Sequence, residues 1–182
     1  MSRSLQLLLD WSEVWSLTIP LGILLSKPRQ PYYLRPVIVY LCIALPLNLF
    51  GNFIADFKAH LPPSLQSNNA LYNIHSIIRL LCFSWFFTLL KQPFYHTIKK
   101  ALPIISITFI LINFIFVEAF FFHDHLSGNL LSAEAFVLLI YCMLYYLSQL
   151  EQEDDQFSYK SHFWVATGLC IYVVVNFFVF LF

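Results

Sequence analysis

Charged and strongly polar side chains break the apolar stretches of this chain at a few places: Asp10 and Glu13, Asn48, Asn52 and Asp56, His75 and Arg79, Glu118, and Glu134. A charge at the centre of a bilayer costs about 2.5–3.5 kcal/mol on insertion scales, so each of these needs a partner or a task. Asn48, Asn52 and Asp56 recur every four residues, which on a helix places them on one face as a polar stripe about 12 Å long. His75 and Arg79 have the same spacing and form a cationic pair on one face, for which Glu118 or Glu134 on other helices is the expected counter-ion. Asp10, Glu13, Asp56, Glu118 and Glu134 outnumber the single Arg79 even when His75 is protonated. The surplus carboxylates must then be hydrated, protonated, or neutralised by a bound cation. The chemistry this implies is that of a wet, acidic pocket taking a small cation, a proton or a polar solute, to move it or to sense it. No cofactor is implied.

Two other chemistries compete. His123, Asp124 and His125 follow Glu118, and imidazole with carboxylate suits zinc and similar ions, so His75, Glu118, His123 or His125 form the ligand set of an alternative, an intramembrane metal-dependent hydrolase. Histidines two apart in a short polar loop do not have the helical spacing of a zincin motif, and solvated loop residues are the plainer reading. Ser132 lies near Glu134, but without a histidine to activate it, it reads as a serine at a helix start and not as a nucleophile. The third reading is an ion-pair network that locks helices together, in an accessory or sensor subunit acting through a partner protein or a second copy. No catalytic residue is assigned, and binding is expected over enzymatic turnover.

The elements that position these residues follow from composition. The 182 residues are 59% hydrophobic, 19% aromatic and 11% charged, where soluble domains carry about 25% charged residues. Ten basic and ten acidic side chains cannot cover a water-soluble fold of this size, so the solvent is a lipid bilayer. The zero net charge gives nucleic acid no concentrated basic face to bind. A spanning helix needs about 20 mainly apolar residues. Six stretches have that length: Leu5 to Ser26, Leu34 to Asp56, Ala70 to Leu90, Ala101 to Phe122, Gly128 to Leu150, and Phe163 to Phe182. They are continuous where barrel strands would alternate, so the expected fold is all-α, a single bundle of about six transmembrane helices with short loops and no soluble domain.

Lysine and arginine set the orientation. Lys27, Arg29, Arg35, Lys91, Lys99, Lys100 and Lys160 fall on one side and only Arg3 and Lys58 on the other. Both termini are therefore expected outside. In this frame the polar residues crowd the outer halves of their helices, with Arg79 near mid-depth. Asp10 and Glu13 interrupt the first segment and no small-residue cleavage site follows, so that segment is expected to stay in the mature chain. Cys42, Cys82, Cys142 and Cys170 sit in different apolar segments without CxxC spacing and read as packing residues. Gly168, Tyr172 and Asn176 share a face beside Thr167, which reads as a close helix-packing surface. Pro46 precedes the polar stripe and can bend its helix.

The stretch LYNIHSIIRLL from Leu71 to Leu81, with HFWVATGL from His162 to Leu169, resembles a family of uncharacterised bacterial multi-pass membrane proteins in which a helix opening with Tyr-Asn-Ile precedes a late Phe-Trp-x-x-x-Gly helix. The resemblance covers two of the six segments. It implies a membrane helix bundle and a further helix after this region, and it carries no catalytic residue.

Overall fold

A chain in lipid has no water for its peptide groups, and helices satisfy them internally. The computed structural model describes residues 11–27, 29–62, 67–90, 95–117, 126–151 and 160–181, and among them there are helices and no strand. The helices are α1 (Ser12–Ser26), α2 (Arg35–Phe57, entered through the 3-10 turn Tyr32–Leu34), α3 (Asn69–Leu89), α4 (His96–Ile112, continued by the π-helical turn Asn113–Val117), α5 (Gly128–Glu151) and α6 (Ser161–Leu181). They correspond to the six expected segments. Helix α4 begins at His96 and not at Ala101, so Lys99 and Lys100 fall among its first five residues. Among the described residues four stretches, Tyr32–His60, Asn69–Leu89, Thr97–Val117 and Gly128–Glu151, are long and apolar enough to cross a membrane, while Val14–Ser26 and Ser161–Phe177 are shorter apolar helices.

Side-chain pairs give the direction of each helix. Asn73–Ser127, Arg79–Glu134 and Phe87–Tyr141 climb together in residue number, so α3 and α5 run parallel. Cys142–Ala166 and Tyr145–His162 run in opposite senses, as do Lys99–Tyr141 and Asn113–Asn129, so α6 and α4 are both antiparallel to α5. Tyr40 meets Phe83, while Leu47, Asn48 and Gly51 share a small gap with Leu71, Tyr72 and His75, which makes α2 antiparallel to α3. Helix α3 touches α2, α4 and α5, α1 packs against α2, and α6 packs against α5.

Aromatic rings fill the half of the bundle away from the start of α3. Phe86, Phe87, Tyr141 and Tyr145 are fully buried, and Phe87 stacks on Tyr141 at 5.3 Å. Burying a phenol requires a partner for its hydroxyl. Pro103 has no N–H to give the carbonyl of Lys99 one turn earlier, and the Tyr141 hydroxyl donates to that carbonyl at 3.1 Å. Tyr145 pairs with His162 Nδ1 at 2.7 Å, and Tyr33 pairs with Ser161 at 2.9 Å. On the loop before α4, Tyr95 adopts a left-handed conformation (φ 61°). Its hydroxyl donates to the Glu151 carboxylate at 3.0 Å, and that hydrogen bond with its negative charge holds the phenol above its ordinary titration range.

The opposite end is tied by amides. Ser127 caps α5, its Oγ accepting from the Leu130 N–H at 3.1 Å. The Ser127 N–H donates to Asn73 Oδ1 at 3.1 Å, and Asn129 donates to Asn113 Oδ1 at 3.3 Å. These contacts fix α3, α4 and α5 to one another where Glu134 enters the bundle.

Candidate functional site

Glu134 lies less than two turns into α5, buried, facing α3. Three donors from α3 close on its carboxylate: Arg79 Nε, Arg79 Nη2 at 2.8 Å, and the Ser76 hydroxyl. The two-pronged contact is the geometry that a planar guanidinium offers a carboxylate, and it directs both groups as well as joining them. Side-chain exposure is 12% for Arg79 and 3% for Glu134. Arg79 Nη1 donates to the Tyr172 hydroxyl, and the guanidinium carbon stands 4.7 Å from the centre of the Tyr172 ring, within cation–π range. One arginine thus joins α3, α5 and α6.

Beside this pair the chain leaves a cleft of about 460 Å³. Arg79 and Tyr172 form its floor with Tyr40 and His75; Tyr72, Asn48 and Asn176 contribute further polar groups, and Ser16, Leu17, Leu126 and Leu131 complete the walls. The Tyr40 hydroxyl and His75 Nε2 are 3.1 Å apart, and the two rings stack at 5.6 Å. Asn48 is buried, with its amide turned back to the Ala44 carbonyl at 3.0 Å. The volume suits a small molecule.

Of the residues expected from spacing, Asn48, His75 and Arg79 line this cleft, and Glu134 sits behind Arg79. The counter-ion of Arg79 is Glu134. Asn52 is half-buried and outside the lining, and Asp56 is exposed near the end of α2, so the stripe meets the cleft only at Asn48. Glu118, with Asp10, His123, Asp124 and His125, lies outside the described residues. Among the described residues the lining holds no carboxylate; of the five acids counted, Asp10, Glu118 and the Glu13 side chain lie outside the described residues. Among the same residues no three His, Cys, Asp or Glu gather closely enough to hold a metal ion.

The face read as a helix-packing surface is open at Gly168 and engaged at Thr167 and Tyr172. No atom comes within 4 Å of the position a Gly168 side chain would take. Thr167 pairs with Tyr146 at 2.8 Å, and Tyr172 and Asn176 border the cleft. Ser76, Tyr40 and Tyr172 are not legible as site residues from spacing. Ser76 lies one turn before Arg79 on the same face, which is the one signal that points to it. The chain matches no protein-family model, no curated protein and no solved structure.

Proposed function

We propose that this chain is a six-span membrane protein, with both termini outside a bacterial cell membrane, that binds a small polar solute in the cleft between α1, α2, α3 and α6 as the binding step of transport or sensing. The observation that carries this reading is the position of Arg79 between Glu134 and a cleft with polar groups from four helices. A clamp between helices needs the pair alone. It does not need Tyr40, His75, Asn48 and Asn176 around an open volume beside it. The guanidinium on the floor favours a polar solute over a cation. The asymmetry of Lys and Arg supports the orientation, and the six apolar helices support the number of spans.

Cysteine accessibility tests it. In the full chain reconstituted in liposomes, Ser16→Cys and Asn176→Cys should react with a small water-soluble thiol reagent, whereas Ile104→Cys, on the exposed apolar face of α4, should not. Bound solute should slow both reactions, which gives a screen over polyols, amino acids and amines. Failure of both cleft positions to react would overturn the reading.

A further inference from the structure

We infer that the ligand of the cleft is an uncharged amphiphile drawn from the bilayer, its oxygen-bearing head group seated against Arg79, Tyr172, His75 and Tyr40 and its chain leaving between α1 and α6. This rests on the reading of the cleft as a binding site, and it names the class of ligand.

Depth is the first argument. At 1.5 Å per residue, Arg79 lies about 15 Å along α3 from Asn69, and Tyr172 about 16 Å along the antiparallel α6 from Ser161. The two therefore meet midway through a hydrocarbon layer roughly 30 Å thick. At that depth Tyr172 is still 38% exposed. A polar floor halfway across the membrane suits a head group that arrives from the lipid phase.

Charge is the second. Glu134 takes two N–H groups of Arg79 and balances its charge, and His75 is paired with the Tyr40 hydroxyl. An anionic head would place a second negative charge beside Glu134, and a cationic head would meet the guanidinium. An uncharged carbonyl or hydroxyl oxygen adds no charge, and Tyr172, Tyr40 and Arg79 are all able to donate to it.

The third argument is the way the bundle closes. Helix α1 brings Ser16 and Leu17 to one wall and α6 brings Tyr172 and Asn176 to the other, yet α1 packs on α2 and α6 on α5. Among the described residues α1 and α6, each packed mainly on another helix, thus both border the cleft, and an alkyl chain leaves on that side.

Three photoreactive probes that share one alkyl-diazirine chain and carry a hydroxyl, a carboxylate or an amine head test this in liposomes containing the full chain. The hydroxyl probe should label peptides around Ser16 and Tyr172 about tenfold more than either charged probe, because a charged head upsets the balanced Arg79–Glu134 pair; tenfold corresponds to about 1.4 kcal/mol. Ser16→Trp, at a position on α1 facing the cleft mouth, should remove that preference, while labelling of α4 near Ile104 stays equal for all three probes. Equal labelling around Ser16 and Tyr172 by the three heads, or a preference that survives Ser16→Trp, would overturn the inference. Thiol labelling of the Ser16→Cys and Asn176→Cys variants by the water-soluble reagent reads separately. If it persists without head-group preference, the cleft binds from water and only the ligand class falls; if it is lost as well, both readings fall.

Discussion

Arg79 and Glu134 are each other's only charge partner among the described residues, and the consequence is asymmetric. Removing one member leaves the other charged inside the bundle, which typically costs about 3–5 kcal/mol, whereas replacing both by apolar groups of similar volume is often close to neutral. Glu134→Gln should therefore lower unfolding stability in detergent by about 3 kcal/mol, and the Arg79→Met, Glu134→Leu double variant should lose less than Glu134→Gln alone. With Arg79→Met and Glu134→Leu measured singly, losses that add up to that of the double variant would show that the two groups do not act as a pair. The identity of this pair is half legible in the sequence. The spacing of His75 and Arg79 announces an inward cation, but choosing Glu134 over Glu118 requires the parallel alignment of α3 and α5, a long-range property no local pattern contains.

Helix α4 shows how an element with a built-in defect is repaired by its neighbour. Pro103 leaves the Lys99 carbonyl without its helical donor, and the Tyr141 hydroxyl of α5 takes that place. Tyr141→Phe should cost about 1–3 kcal/mol, the usual penalty for an unpaired buried acceptor. In a Pro103→Ala background, where the backbone N–H returns, the same substitution should cost markedly less. Equal costs in the two backgrounds would sever the link between proline and phenol. The six helices among the described residues are legible as continuous apolar runs, and four of them are long and apolar enough to cross a bilayer, where a helix satisfies its own backbone. The face of α6 departs from its sequence pattern for a physical reason. Small residues mark close helix contact only when a neighbour occupies the space, and no atom of another helix comes within 4 Å of where a Gly168 side chain would stand.

At the scale of the whole molecule, alternating helix directions carry Lys27 and Arg29 to one end and Lys58 and His60 to the other. The excess of Lys and Arg on the first side predicts that it faces the cytoplasm. In intact cells, cysteine placed at His60 should react with an impermeant reagent and cysteine at Arg29 should react only after permeabilisation. The reverse pattern would invert the orientation while leaving the bundle unchanged. The parallel pairing of α3 with α5 also has a temporal side. Arg79 is synthesised 55 residues ahead of the carboxylate that balances it. At about 5–20 residues per second the interval is roughly 3–11 s. For that time α3 holds an arginine without its counter-ion, at an insertion cost of about 2.5–3.5 kcal/mol. Tyr40, which lies against Arg79 in the folded chain, is already made, and Tyr172 is not. On the proposed topology the place of α3 in the membrane is therefore provisional until α5 follows it, and the carboxylate at 134 secures a helix inserted before it.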